Sequence, residues 1–194
     1  MFSKTADQTV ALFLADGCEE IEALTVADLL FRAGISCTTV SVKETPVITS
    51  SHGITITADT TLAEADLETF DMLVLPGGIP GTPNLAACPK LMEAVVSFAG
   101  RQNEGKAVAA ICAAPSILAN LGLLNGKKAT CNPCALDFLA EHGAKLTYAR
   151  VTTDGNIITS QGMGTAIAFG LAIVEYYKGH AAAKALASKI LYRG

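Results

Sequence analysis

Lys106-Ala-Val-Ala-Ala-Ile-Cys-Ala-Ala-Pro-Ser-Ile-Leu-Ala-Asn120 begins as a buried strand and ends as a helix, with a cysteine at the joint. The unbroken apolar run 107–111 suits a strand covered on both faces, and residues 114–120 suit a helix packed against it. Cys112 stands at the bend, with Ala110 two residues before it and Ala114 two residues after. This is the layout of a nucleophile elbow, in which a sharp strand-to-helix turn pushes the central side chain outward on a strained backbone. Such a turn needs small neighbours, here alanine rather than glycine. At the mouth of a helix a thiol is expected to ionise below its free value of ~8.5. The alternative reading is a buried small hydrophobe, the commonest fate of a cysteine.

Outward from this joint the same unit recurs. Residues 9–14, Thr-Val-Ala-Leu-Phe-Leu, read as a doubly buried strand, followed by a helix over 19–33 with Glu19, Glu20 and Glu22 in its first turn. Ile21, Leu24, Leu29 and Leu30 are expected to form that helix's apolar face, and Gly34 sits where a terminating glycine belongs. Residues 36–42 read as a second strand and 54–57 as a more exposed antiparallel strand or hairpin. Then come a strand over 70–75, a loop over 76–83, and a helix over 90–99. After the elbow follow a short strand near 128–130, a helix near 134–141, and a hairpin over 149–160 around Asp154-Gly155. Two closing helices are expected near 165–177 and 181–191. Strands alternating with helices predict an α/β fold with a mostly parallel sheet covered on both faces, and residues 1–194 read as a single domain. Chemistry in such folds gathers at the C-terminal ends of the strands. The loops 15–19, 76–81 and 112–115 are therefore the place to look.

Composition narrows the function. The chain has 194 residues, 51% of them hydrophobic and 16% charged, with a formal net charge of −4, and a mean hydropathy of +0.41. The most apolar stretch, 107–124, is broken by Cys112, Pro115, Ser116, Asn120 and Gly122, so it reads as strand and helix rather than a membrane span. No apolar secretory segment follows Met1, which points to the cytoplasm. Basic residues are scattered singly, with no footprint for nucleic acid or an anionic membrane. The six cysteines, at 18, 37, 88, 112, 131 and 134, read as free thiols, because a domain of this size does not need staples and cytosolic thiols stay reduced. No metal cluster, P-loop or dinucleotide motif is present in the sequence, and no cofactor is expected. Pro76-Gly77-Gly78 offers backbone N–H groups for close approach to a ligand or an oxyanion, although turn glycines more often serve local geometry. Glu22, taken alone, complements a helix dipole.

Four segments carry a resemblance: Ala15-Asp-Gly-Cys-Glu-Glu-Ile-Glu22, Val74-Leu-Pro-Gly-Gly78, Ala109-Ala-Ile-Cys-Ala-Ala-Pro115 and Thr159-Ser-Gln-Gly-Met-Gly-Thr165. In this order and spacing they resemble the ThiJ/PfpI superfamily, in its DJ-one branch. The resemblance implies a flavodoxin-like three-layer sandwich, usually a homodimer, whose elbow cysteine is both nucleophile and oxidation sensor. Carried over position by position, Cys112 matches that cysteine and Glu22 the glutamate beside it. Gly77, Gly78 and Ala113 match the backbone around the sulfur, where an oxyanion would be held. An ionised Glu22 would repel a thiolate, so the useful species is a buried, protonated carboxyl that donates to sulfur.

The implied function is cofactor-independent action on small reactive carbonyls, of glyoxalase type, or deglycation of thiols and amines. The alternative is a non-enzymatic redox sensor or chaperone-like stress protein. Several positions depart from the pattern. Relatives with glyoxalase activity often carry a histidine where this chain has Asn132, which cannot shuttle a proton near neutral pH and so implies slow turnover. Ala113 stands where the protease-like branch has histidine, which disfavours peptide hydrolysis. His52 and Gln161 replace arginines common in relatives, and His52 reads as a satisfied surface residue at the edge of the site. Cys131-Asn-Pro-Cys134 is a C-x-x-C without thioredoxin context. Because it falls in the family's site loop, Cys131 or Cys134 is a candidate to resolve an oxidised Cys112.

Overall fold

The computed structural model describes residues 4–193. In chain order the elements are β1 (Thr9–Leu14), α1 (Glu20–Ala33), β2 (Ser36–Ser41), β3 (Val47–Thr49), β4 (Thr55–Thr57) and β5 (Thr60–Thr61). Then follow β6 (Met72–Leu75), α2 (Gly81–Ala86), α3 (Pro89–Gly100), β7 (Ala107–Ile111), α4 (Pro115–Asn120) and β8 (Lys128–Ala129). The chain closes with α5 (Leu136–Glu141), β9 (Lys145–Leu146), β10 (Val151–Asp154), β11 (Ile157–Ser160) and α6 (Ala166–Lys189). Seven strands form one sheet in the order β10-β11-β7-β6-β1-β2-β5. All its neighbours are parallel except the β10–β11 hairpin. The expected exposed hairpin is β3–β4, which forms a separate two-stranded sheet.

The strand pleat sorts the core into two layers. Val10, Leu12 and Leu14 of β1 face one way with Met72, Val74, Ala109 and Ile111, and pack under α1 and α6. Ala11 and Phe13 face the other way with Leu73, Leu75, Val108 and Ala110, and pack under α2, α3, α4 and α5. Because both faces are covered, β1, β6 and β7 read as continuous apolar runs rather than alternating ones. Gly34 ends α1 in the left-handed conformation, φ 71°, with its N–H donating to Leu30 O and Phe31 O. The two expected closing helices are one run, α6, broken at Gly179, whose φ of 79° and ψ of 166° are non-helical.

Two expectations are corrected. The apolar face of α1 is Ala23, Val26, Leu29 and Leu30, whereas Ile21 and Leu24 face outward, 46% and 42% exposed. The loop expected over 76–83 is shorter, because α2 starts at Gly81. The short strand expected near 128–130 is β8, which pairs in parallel with β9 outside the main sheet. Asn156, which the sequence reading passed over, is buried and donates from Nδ2 to Phe98 O, Ala99 O and Lys106 O at 3.0–3.1 Å, tying the end of α3 to the start of β7. No helix among the described residues is long and apolar enough to cross a membrane.

Candidate active site around Cys112

The central strands β1, β6 and β7 end side by side, which brings the loops after them to one edge of the sheet. Cys112 follows β7 directly and has φ 66°, a left-handed conformation that costs a non-glycine residue about 1 kcal/mol. Two hydrogen bonds hold it there. Its N–H donates to Ser160 O at the end of β11 (3.0 Å), and its carbonyl accepts from Asn132 N (2.8 Å). Ala110 and Ala114 are fully buried on either side, so a larger side chain at either position would meet packed core. The sulfur itself is half-buried.

Glu22 reaches the same point from α1. Its neighbours on the buried stripe are Ala23, Val26, Leu29 and Leu30. The spacing from 22 to 26 and from 22 to 29 places a carboxylate in line with the apolar face. Oε2 accepts the Gly77 N–H at 2.8 Å, and Oε1 is buried without a conventional hydrogen-bond partner among the described residues. Burial pushes the acid up from an ordinary 4.5 to about 7, with Glu19 adding to the rise and the Cys112 and Gly77 contacts opposing it. Gly77 has no room for a side chain, since a Cβ there would lie 2.5 Å from Cys112 Cβ and 2.7 Å from Glu22 Oε2.

The thiol is the reverse of the expectation at a helix mouth. Burial pushes Cys112 up to about 12, the charge of Glu22 and its hydrogen bond add to this, and the N–H groups of Ala113 and Gly78 pull against it. The helix that follows, α4, is only six residues long, and its dipole does not overcome desolvation and a neighbouring carboxylate. Near neutral pH the carboxyl is the member of this pair that titrates, and the thiol holds its proton until a reaction step draws it off. Moving the thiol proton to Glu22 turns a repelling carboxylate into a neutral donor beside the new thiolate.

The site also corrects the expectation for Gly77, whose N–H is committed to Glu22 and is not a free oxyanion donor. The N–H groups of Gly78 and Ala113 interact with the sulfur. Asn132 lies against the thiol, its Nδ2 3.7 Å from Sγ, while its Oδ1 accepts from Cys134 N at 3.1 Å. Cys131 is brought into the loop but not to the thiol. Its sulfur is buried in the core under α2–α5, whereas Cys112 packs against the layer under α1 and α6. Cys134 is exposed, and all six cysteines are free. Of this loop, Asn132 is the residue whose side chain meets the Cys112 sulfur, at 3.7 Å. His52 is 64% exposed, with Nδ1 2.9 Å from Glu20 Oε1 and 3.8 Å from Glu19 Oε2. Those three residues offer ligand atoms within 4.8 Å of one another, and Glu20 Oε2 is buried without a hydrogen-bond partner among the described residues. Gln161 Nε2 donates to Tyr148 O and is turned to the backbone. Cavities of about 620 and 600 Å³ lie along α6 and between α1 and the end of α6, and share no residue with the surroundings of the thiol.

The sequence reading missed Ser160 as the anchor of the elbow and Gly162 as part of the wall. A Cβ on Gly162 would stand 3.5 Å from Asn132 Nδ2, 3.7 Å from Cys112 Sγ and 3.8 Å from Glu22 Oε1. Segment 159–165 carries part of the resemblance but gives neither residue a role; the parallel pairing of β11 with β7, which brings Ser160 beside Ile111, is the long-range feature that places them.

The DJ-1/PfpI family model matches residues 8–176. Protein DJ-1 homolog A of Arabidopsis thaliana is 38% identical over 187 residues, 96% of this chain and 47% of that protein. The chain thus spans about half the length of that relative. The glutathione-independent glyoxalase DJR-1.2 of Caenorhabditis elegans is 34% identical over 176 residues, 90% of this chain and 91% of its own. The structure of oxidised Toxoplasma gondii DJ-1 superposes with a TM-score of 0.89 at 33% identity, covering 96% of this chain and all of that one.

Proposed function

The chain belongs to the DJ-1/PfpI family, and from that membership we propose that it converts small reactive dicarbonyls such as methylglyoxal, using Cys112 as nucleophile and Glu22 as its acid–base partner. The observation that carries this reading is the geometry: the sulfur of Cys112, on its left-handed bend, and Glu22 Oε1, buried without a hydrogen-bond partner among the described residues, flank the same point beside Gly162 at 3.7 and 3.8 Å. A carboxyl raised to about 7 is a stronger base than an ordinary glutamate, suited to drawing off the proton of a thiol held near 12 as sulfur attacks and to returning it afterwards. The glyoxalase among the relatives supports the same class of reaction.

The steps balance without a cofactor. Glu22 takes the thiol proton as sulfur attacks the aldehyde carbon, the carbonyl π pair moves to oxygen, and the proton passes from Glu22 to that oxygen to give a hemithioacetal. Glu22, again a carboxylate, takes the C–H proton from the carbon bonded to sulfur, and the electron pair left behind forms an enediolate with the adjacent carbonyl. Protonation of the adjacent carbon, with the hydroxyl proton moving between the two oxygens, leaves a thioester. Water hydrolyses it to a 2-hydroxy acid and the free thiol. One carbon is oxidised and its neighbour reduced, so no external oxidant enters.

The test is methylglyoxal consumption and lactate formation by wild type, Cys112→Ala and Glu22→Gln. Turnover in wild type with a loss of at least about a hundredfold in both variants is expected. Equal background in all three would remove the carbonyl reading and leave oxidation of Cys112 as the function of the site.

A further inference from the structure

We infer that Glu19, Glu20 and His52 form a binding site for a divalent transition-metal cation, and that Zn²⁺ is the ion this ligand set suits best. None of the three takes part in the carbonyl reaction proposed above. Glu20 and His52 are 32 positions apart in the chain, which is why no metal-ligand spacing shows in the sequence.

Glu20 opens α1, and its side chain is only 10% exposed. Burial works against its ionised form, but contacts with its own N–H, Ser50 and His52 outweigh that and hold the acid below the usual range. It is a carboxylate at neutral pH. Oε1 lies 2.9 Å from His52 Nδ1, yet Oε2 is buried with no conventional hydrogen-bond partner among the described residues. A charged oxygen withdrawn from water with nothing bonded to it is costly, and buried charges are as a rule paired or coordinated to a metal. Glu22 also has an unpartnered oxygen, but its carboxyl is raised to about 7 and sheds its charge by taking a proton. Glu20, held in the opposite direction, keeps its charge.

One imidazole and two carboxylates converge here. His52 Nδ1 is 2.9 Å from Glu20 Oε1 and 3.8 Å from Glu19 Oε2, and one ligand atom from each residue lies within 4.8 Å of the others. Ligands about 2.0–2.2 Å from a tetrahedral zinc ion stand about 3.3–3.6 Å apart, so side-chain shifts of about 1 Å close the set around an ion. The backbone already holds the two segments together. Ser51 N–H donates to Cys18 O at 2.8 Å, and Glu19 N–H donates to Gly77 O at 3.0 Å. Ser51 Oγ is 3.3 Å from Glu19 Oε2 and 3.2 Å from His52 Nδ1, where a hydroxyl can orient a metal ligand. His52 is 64% exposed, which gives an ion a way in and leaves a fourth position for water, as in three-ligand zinc sites. Imidazole among carboxylates favours Zn²⁺ or Cu²⁺ over Mg²⁺ and Ca²⁺, which prefer oxygen throughout. The start of α1 sets about half a positive charge against a cation, and two carboxylates outweigh it. Binding takes neutral His52 with its proton on Nε2 and the Nδ1 lone pair on the metal.

Calorimetric titration of the full chain with Zn²⁺ alone, after reduction and removal of metal by a chelator, tests this. One ion should bind with Kd below about 10 μM and raise the melting temperature. His52→Ala, at an exposed position, and Glu20→Gln should each weaken binding at least about thirtyfold, and Ser51→Ala about tenfold. Melting curves in chelator establish that each variant is folded, and His52→Ala alone decides if Glu20→Gln is not. Cys112→Ala should bind as tightly as wild type, and Co²⁺ in place of Zn²⁺ should give d–d bands without sulfur-to-cobalt charge transfer, because no thiol is a ligand. Three results would each overturn the assignment: no Zn²⁺ bound by wild type at about 1 mM, His52→Ala within about threefold of wild type, or a thiolate band in the Co²⁺ spectrum.

Discussion

Replacing Glu22 by Gln isolates the energetic cost of keeping an acid on the apolar stripe of α1. In the folded protein the carboxyl titrates near 7 rather than 4.5, so the native state holds its proton more tightly than the unfolded chain does. Stability from this group is fully present below about pH 4.5 and is lost as pH rises to about 7. The displacement corresponds to about 3 kcal/mol in total. Glutamine keeps an oxygen for the Gly77 N–H and places an NH₂ where the protonated acid would donate to sulfur, but it does not titrate. Urea unfolding of both proteins under reducing conditions, at intervals from pH 4.5 to 8.5, measures the difference directly. The two should be about equally stable at the acid end, and Glu22→Gln should be ahead by about 3 kcal/mol at pH 8. Stability curves that run parallel across the window would refute the reasoning, since they would mean that the folded state does not hold this proton.

Two further outcomes follow from the backbone and the core. Cys112→Gly should be more stable than Cys112→Ala by about 1 kcal/mol in thermal unfolding, because φ 66° strains alanine and not glycine. Asn156→Ala should lose about 2–3 kcal/mol in chemical denaturation, because it leaves the carbonyls of Phe98, Ala99 and Lys106 without their shared donor.

The legible part of this chain was what local pattern encodes. Runs such as 10–14 and 107–111 are apolar at every position because helices cover both faces of the strand, and that continuity announced a parallel sheet before any contact was known. Cys112 was legible for a similar reason, since small residues two positions away on each side are needed to make the bend. The face of α1 was misread because Ile21 and Leu24 are apolar and Glu22 is not, so a hydrophobicity count favours the wrong side of the helix. The outward placement of Ile21 and the inward placement of Glu22 follow from tertiary packing. The direction of the thiol shift was misjudged because a helix mouth is a local feature, whereas desolvation and the Glu22 charge arrive from elsewhere in the chain. The segment holding Ser160 and Gly162 was legible as a motif, but their place beside Cys112 depends on strand register across about fifty residues.

The clamp on Cys112 has a consequence for the order of events during translation. One anchor of the bend, Ser160, lies 48 positions downstream of the cysteine it holds. The nucleophile therefore leaves the ribosome well before the strand that shapes it has been made. Until β11 docks beside β7, Cys112 is an ordinary thiol with neither left-handed backbone nor carboxyl partner fixed against it. The bend at Cys112 takes shape only once β11 has been made, so chains that stop short of residue 160 emerge without it.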